Sequence, residues 1–199
     1  MGIFNRKSTP AEETFDAPTT AIEDLAGDYT IDPSHTHIGF SARHAMVTTV
    51  RGSFKEFEGT AHIDTANPSA SSVKVVIKAE SIDTGNADRD GHLRSGDFFE
   101  DATHPEITFT STDVSFDGET WEITGDLTIK DVTKPVTIPF EHTGSAKDPF
   151  GNTRVGFEGS TAINRSDWGL TFNAALETGG VLVSEKIKLD FDISAIKTA

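Results

Sequence analysis

Few side chains in this sequence are placed to do chemistry. The richest cluster is Asp32-Pro33-Ser34-His35-Thr36-His37. His35 and His37 are two apart, so on a strand both rings would project to the same side and could reach one metal ion. No cysteine joins them, and His44, His92 and His104 are further ligands only in principle. Asp32, Ser34 and His35 have the composition of a nucleophilic triad, but adjacent residues seldom reach triad geometry. A turn whose side chains bond its own backbone is the better reading, and no metal ion or cofactor is expected. The second cluster is the segment from Ser81 to Phe99, S-I-D-T-G-N-A-D-R-D-G-H-L-R-S-G-D-F-F. Arg89, Asp90, His92 and Arg94 either pair among themselves and cap a short helix, or form a polar mouth over a ligand with Leu93, Phe98 and Phe99 turned inward. The two roles are compatible.

Those residues must be positioned by strands, because from Asp28 onward the apolar residues recur with a period of two. Ile38, Phe40 and Ala42 share a face. So do Val73, Val75, Ile77 and Ala79; Trp121, Ile123, Gly125, Leu127 and Ile129; Val136, Ile138 and Phe140; Val155, Phe157, Gly159 and Ile163; and Ile187, Leu189, Phe191 and Ile193. The opposite parity carries Lys, Glu, Asp and Thr, and one dry face with one wet face means antiparallel sheet. Turns are marked at Asn67-Pro68, Asp117-Gly118, Asp148 to Asn152 and Gly179-Gly180. Between residues 105 and 116 the apolar parity slips from Ile107 and Phe109 to Val114 and Phe116, which predicts a β-bulge that bends the strand. About eight long strands joined in sequence favour an up-and-down barrel over a sandwich. The expected fold class is therefore all-β: an antiparallel eight-stranded β-barrel with a short helical segment around residues 88–96.

Ala42, Ala79, Gly125, Gly159 and Ala174 interrupt stripes of large residues. At similar depth they would leave the bore open; alternatively they mark bends and taper in a barrel filled by its own side chains. Along the strands the ionisable groups occupy the wet parity, so an acid or base facing the interior is scarce and enzymatic activity is not expected. His142 is the exception on its stripe, expected at a strand end.

Composition narrows the partners. The 199-residue chain has 17 basic and 32 acidic residues and a formal charge of −15, which repels nucleic acid and anionic surfaces. Fourteen Phe against two Trp and one Tyr call for a dry interior. No apolar run reaches the length of a membrane helix, so no integral membrane segment is expected. Arg6 and Lys7 are followed by Ser8-Thr9-Pro10-Ala11-Glu12-Glu13 instead of an apolar stretch, so a cytoplasmic location is expected. Residues 1–27, with two basic and five acidic side chains and two prolines, read as a mostly disordered acidic extension. A short helix at 21–26, with capping-box spacing from Thr20 to Glu23, would lay Ile22 and Leu25 on the domain at 28–197. The run Val181-Leu182-Val183 offers an edge for a homodimer.

In order and spacing the segments Tyr29–His44, Arg51–Gly59, Ser81–Phe99, Gly125–Glu141, Ile163–Leu170 and Val183–Lys197 resemble the YceI-like family. The Ser81–Phe99 loop is the most specific element. The resemblance implies a lipocalin-like barrel whose elongated apolar pore binds, carries or stores a polyisoprenoid, such as a polyprenyl or isoprenoid quinone lipid, or a similar long-chain lipid. No reaction is implied. Combined with strand parity, it implies a pore lined by Phe40, Ala42, Met46, Phe54, Phe57, Leu93, Phe98, Phe99, Phe109, Trp121, Ile123, Leu127, Phe140, Phe157, Trp168 and Phe191. It places Arg43, His44, Arg89, His92 and Arg94 at a polar mouth. An interaction or stress protein with a filled barrel, and a lipid-modifying enzyme, are the competing readings.

Overall fold

A computed structural model describes residues 25–177 and 179–198. The expected disordered extension, and the expected helix at 21–26 as far as residue 24, lie outside the described residues. Eleven strand segments follow one another: β1 (Gly27–Ile31), β2 (His37–His44), β3 (Thr48–Phe54), β4 (Phe57–Ile63), β5 (Ser72–Lys78), β6 (Ile82–Asp83), β7 (Glu106–Phe116), β8 (Thr120–Ile129), β9 (Val132–Lys147), β10 (Thr153–Asn164) and β11 (Val183–Lys197). One helix, α1 (Ala87–Arg94), falls between β6 and β7.

Three pairs of segments are single staves broken midway. β11 pairs with β2 through Val183–Asp192 and with β1 through Ala195–Lys197. Likewise β3 and β4 are adjacent to β2 and β1, and β5 and β6 to β4 and β3. Eleven segments thus form eight antiparallel staves in sequence order, closed where β11 meets β1 and β2. Closure satisfies the backbone groups that an open sheet edge would leave unpaired. The register of β7 against β8 shifts between Ser111 and Asp113, where the apolar parity slips, and a second shift lies at Gly156/Phe157 in β10.

The breaks have local causes. Between β1 and β2, Asp32 turns the chain by accepting from the Ser34 amide and hydroxyl, and its Oδ2 faces His35 Nδ1 at 2.7 Å. Arg154 bridges Asp32 and Asp148, tying this turn to β10 and the 148–152 turn. The Ser34 hydroxyl, the guanidinium of Arg154 and the His35 ring hold the Asp32 carboxyl well below the usual carboxylate range, while Asn152 and Arg154 bring Asp148 down to about 2.

Leu25 seals one end of the barrel. It is fully buried among Tyr29, Ile63, Val114, Trp121, Val155 and Ala195, and its carbonyl accepts from the Tyr29 hydroxyl at 2.7 Å. Near the other end Trp168 and Leu170 pack with Ile107, Leu127, Ile129, Val136 and Ile138, leaving the remainder of that end to α1 and the loops.

Candidate functional site, an apolar bore

The lumen between these two plugs is a cavity of about 690 Å³. Its wall is the inward parity of the staves. Phe40, Ala42, Phe54, Phe109, Trp121, Ile123, Leu127, Phe140, Phe157 and Phe191 all face it, and Leu93, Phe98 and Phe99 enter from α1 and the loop after it. Several of these rings, among them Phe40, Phe109, Phe140 and Phe191, are only half-buried although they point inward. In a barrel filled by its own side chains they would be covered.

Glycines help to clear the bore. The Phe40 ring lies over Gly52, Phe109 over Gly125 and Phe140 over Gly159; a Cβ at these positions would come within 2.4, 2.5 and 2.6 Å of the respective rings. Each ring therefore occupies the space that the glycine on a neighbouring strand leaves free, a cross-strand packing that also rescues the glycine. The small residues do not simply line up at one depth. Ala79 is buried in the Trp168 cluster, and Ala174 lies in an exposed segment outside the barrel strands.

Three residues expected in the pore lie elsewhere. Met46 is 62% exposed at the tip of the β2–β3 hairpin, where Ala45 and Met46 both have positive φ, 49° and 62°. Strand parity does not extend through such a mirror-image turn. Phe57 is buried in a cluster with Ile31 and Ile38, and Phe54, packed against that cluster, lines the lumen in its place. Trp168 sits on a 3-10 turn and plugs the barrel, its Nε1 donating to the Leu127 carbonyl at 2.9 Å.

Among the residues expected at the mouth, Arg43, His44, Arg89 and His92 do gather at the α1 end of the cavity. Three of them are already engaged: His92 Nε2 lies 2.8 Å from Asp97 Oδ2, and the two arginines hold their loops. Arg43 donates to Thr49 Oγ1 and to the Met46 and Val47 carbonyls, bracing the hairpin, and Arg89 donates to Thr84 Oγ1 and its carbonyl. Asp90, buried beneath, accepts from the Thr84 amide and hydroxyl, and Asn86 caps α1 through the Arg89 amide. The His92 ring meets Phe98 and Phe172 edge-on at 5.2 and 4.7 Å. Arg94 leaves the mouth: its Nη2 donates to the Ile82 carbonyl and its Nε is enclosed without a partner.

Sequence reasoning missed Arg165, Asp88, Phe172 and His62, which also line the cavity. Arg165 stands in a matched segment, yet nothing in its neighbours signals that a 3-10 turn carries it inward. His62 has outward parity and pairs with Asp28 at 2.7 Å.

The other chemical candidates resolve as structure. His35 belongs to the turn and His37 to β2, where it faces Asp190 at 3.3 Å, so the two rings do not converge. His35 Nδ1 contacts both Asp32 and Ser34, whereas a triad needs the two ring nitrogens to serve different partners. Among the described residues no group of three or more His, Cys, Asp or Glu could hold a metal ion, and no helix is long and apolar enough to cross a membrane. His142 lies within β9, not at its end; its ring is half-buried against Phe157, and burial lowers its pKa. The Val181-Leu182-Val183 run is occupied within the chain: Val181 bridges Ala175, the Leu182 amide donates to the Ala174 carbonyl, and Val183 pairs with His44.

A model of the YceI-like domain matches residues 29–195. The chain belongs to the YceI-like family. It is 44% identical to protein YceI of Escherichia coli O157:H7 over 175 residues, 87% of this chain and 88% of that protein. It is also 44% identical to a UPF0312 protein of Pseudomonas aeruginosa over 153 residues, 76% and 80% of the two chains. Among solved structures, a YceI protein of Campylobacter jejuni superposes with a TM-score of 0.67 at 31% identity, covering 79% of this chain and 90% of that one. A polyisoprenoid binding domain from Saccharophagus degradans, at 19% identity and a TM-score of 0.64, covers 85% of this YceI-like chain and 98% of its own, and at that identity shows a shared fold.

Proposed function

We propose that this YceI-like protein carries or stores a long-chain isoprenoid, threaded by its tail into the bore. The observation that carries the reading is the cavity of about 690 Å³ whose inward rings stay half-exposed. The polyisoprenoid binding described for the Saccharophagus relative supports it by analogy of fold. Between its two ends the wall is hydrocarbon: the charged and imidazole side chains of the lining are Arg43, His44, Asp88, Arg89, His92 and Arg165 at the α1 end and His62, paired outward with Asp28, at the closed end. Such a wall suits a tail and places no acid or base beside its middle, which favours carriage over catalysis.

Magnitudes make the tail dominant. Burying one CH₂ contributes about 0.8 kcal/mol, so a five-carbon isoprene unit contributes about 4 kcal/mol gross. Immobilising a partner costs about 4 to 15 kcal/mol, so several units must enter before binding is useful. Organic extraction of freshly purified protein followed by mass spectrometry, with titration of prenyl lipids of graded length, tests the proposal. The expected result is a co-purifying or readily taken up prenyl lipid, with affinity falling more on loss of two isoprene units than on substitution of Arg89. No lipid and no uptake, or the reverse order of effects, would overturn it.

A further inference from the structure

Among the described residues four large apolar side chains are exposed, and three of them stand together. Met46 is 62% and Val47 72% exposed at the tip of the β2–β3 hairpin, and Val181 is 40% exposed beside them. Val181 belongs to a second, smaller hairpin: it bridges Ala175, the Leu182 amide donates to the Ala174 carbonyl, and the Leu176 amide donates to the Gly180 carbonyl. The two tips are joined, since the Ala45 amide donates to the Leu182 carbonyl at 2.7 Å and a Cβ on Gly180 would lie 3.6 Å from the Met46 side chain. Met46, Val47 and Val181 do not line the cavity, but His44 and Leu182, close to them in the chain, do. The fourth exposed residue, Phe150, lies on the β9–β10 turn at the closed end, where Arg154 pairs with Ile196 and Ile196 with Thr30.

The β2–β3 tip is held outward against local preference. Ala45 and Met46 take positive φ where Asn or Gly would be unstrained, and Arg43 braces the turn through the Met46 and Val47 carbonyls. Although the sequence holds 32 acidic residues, its longest stretch without a carboxylate runs between Asp32 and Glu56 and contains this hairpin. Arg43 and Arg51 flank the tip, and the neighbouring hairpin adds one acid, Glu177. An apolar point set between arginines enters a membrane interface without burying a carboxylate, while the guanidinium groups stay at the level of the phosphates. Three side chains on two convex tips are too small a surface for a stable protein partner or a second copy, which bury about 1,200 Å² or more in total. A bilayer yields around such tips, and the unbranched Met46 side chain adapts to it.

We propose that the paired tips of the β2–β3 and 174–182 hairpins are a bilayer-docking surface, which seats the open end of the barrel on a membrane so that a prenyl lipid passes into the bore without crossing water. The proposal rests on the carrier reading for its purpose, but docking itself is measured with no prenyl lipid present.

The chain has no cysteine, so single labels report cleanly. Val47→Cys and Phe150→Cys, each carrying an environment-sensitive nitrobenzoxadiazole dye, are mixed with phosphatidylcholine vesicles. The dye at 47 is expected to brighten and shift to the blue, while the dye at 150, in place of an even more exposed apolar residue, is not. Equal responses at both positions, or none at 47, overturn the inference. So does a response at 47 that follows protein concentration without vesicles, which would seat the tip on a second copy. Loading supplies the second reading. With geranylgeraniol held in the same vesicles, the double variant Met46→Asn, Val47→Thr should load at least about tenfold more slowly than wild type. Its affinity for geranylgeraniol added from dilute solution should be unchanged, and Asn suits the left-handed backbone at 46, so the turn is kept. Loading at the wild-type rate overturns the inference and leaves carriage standing. Uptake by neither route, in either protein, defeats carriage, and the dye at 47 then still decides docking.

Discussion

At the end of the barrel where β1 begins and β11 ends, Leu25, Tyr29, Val114, Trp121 and Val155 are each at most 4% exposed. At the opposite end Arg43, His44 and His92 reach solvent, and Phe172 is half-buried. The same alternating strands supply both. What differs is what flanks the strands: Leu25, just before β1, folds inward as a stopper, while the β2–β3 hairpin, α1 and the 171–182 segment form a rim. The floor is thus closed across the barrel, whereas at the other end the Trp168 cluster closes only part of the opening and ligand exchange is left to the loops of the rim, in keeping with the tendency of binding regions to come from the less tightly packed parts of a fold.

The sharpest way to break this comparison is to remove the stopper. Leu25→Ala should lower unfolding free energy by about 3 kcal/mol, within the range for fully buried leucines, in urea titrations, while prenyl affinity of the folded fraction is retained. A large loss of affinity at unchanged stability would show that the floor takes part in binding. The next effect is expected midway. A Cβ at Gly159 would meet the Phe140 ring at 2.6 Å and the Pro139 carbonyl at 2.7 Å, so Gly159→Ala should cost about 2 kcal/mol and push the ring into the lumen. Both thermal stability and uptake should fall together. Ala42→Trp, near the rim, should instead separate them: at least about tenfold weaker prenyl binding, or about 1.4 kcal/mol, with a melting temperature close to wild type.

The ties at the outer wall predict an acid response. Asp32 and Asp148 both have carboxyl groups depressed in the folded state, by Ser34 and Arg154 and by Asn152 and Arg154. Their contribution is fully present above the ordinary aspartate value of about 3.9 and is lost as pH falls through the folded values, near 2 for Asp148 and lower for Asp32. Stability should therefore decline between about pH 4 and pH 2, and Arg154→Met should flatten that decline in thermal scans. The smallest effect belongs to the hairpin tip. Met46→Gly relieves a left-handed residue worth about 1 kcal/mol but gives back part of that through unfolded-chain entropy, for a net gain of about 0.5 kcal/mol, with binding unchanged.

Strand parity made much of this architecture legible. The one-sided apolar stripes and their sequential turns pointed to an up-and-down barrel, and the parity slip after Phe109 located the bulge. The stripe residues turned to the lumen were readable for the same reason, since period two leaves only two faces. Residues beyond the strand ends were not readable. Met46 lies in a turn built without the Gly or Asn that normally marks positive φ. Trp168 and Arg165 share a 3-10 turn whose three-residue period turns both side chains inward, where strand parity gives no guide, one plugging the barrel and the other lining the bore. Arg94 looks like its neighbour Arg89 in sequence, but its place late in α1 directs it back to Ile82.

The pairing of the start of β1 with the end of β11 has a practical corollary. The Thr198 amide donates to the Asp28 carbonyl at 2.7 Å, and Lys197 reaches the Ala26 carbonyl. Residues 26–28 and 197–198 therefore lie together beside the stopper, about a barrel length from the rim. A tag, tether or fused domain spliced at either stretch would hold the molecule by its base, like a cup glued to a tray, with its opening still facing the bath.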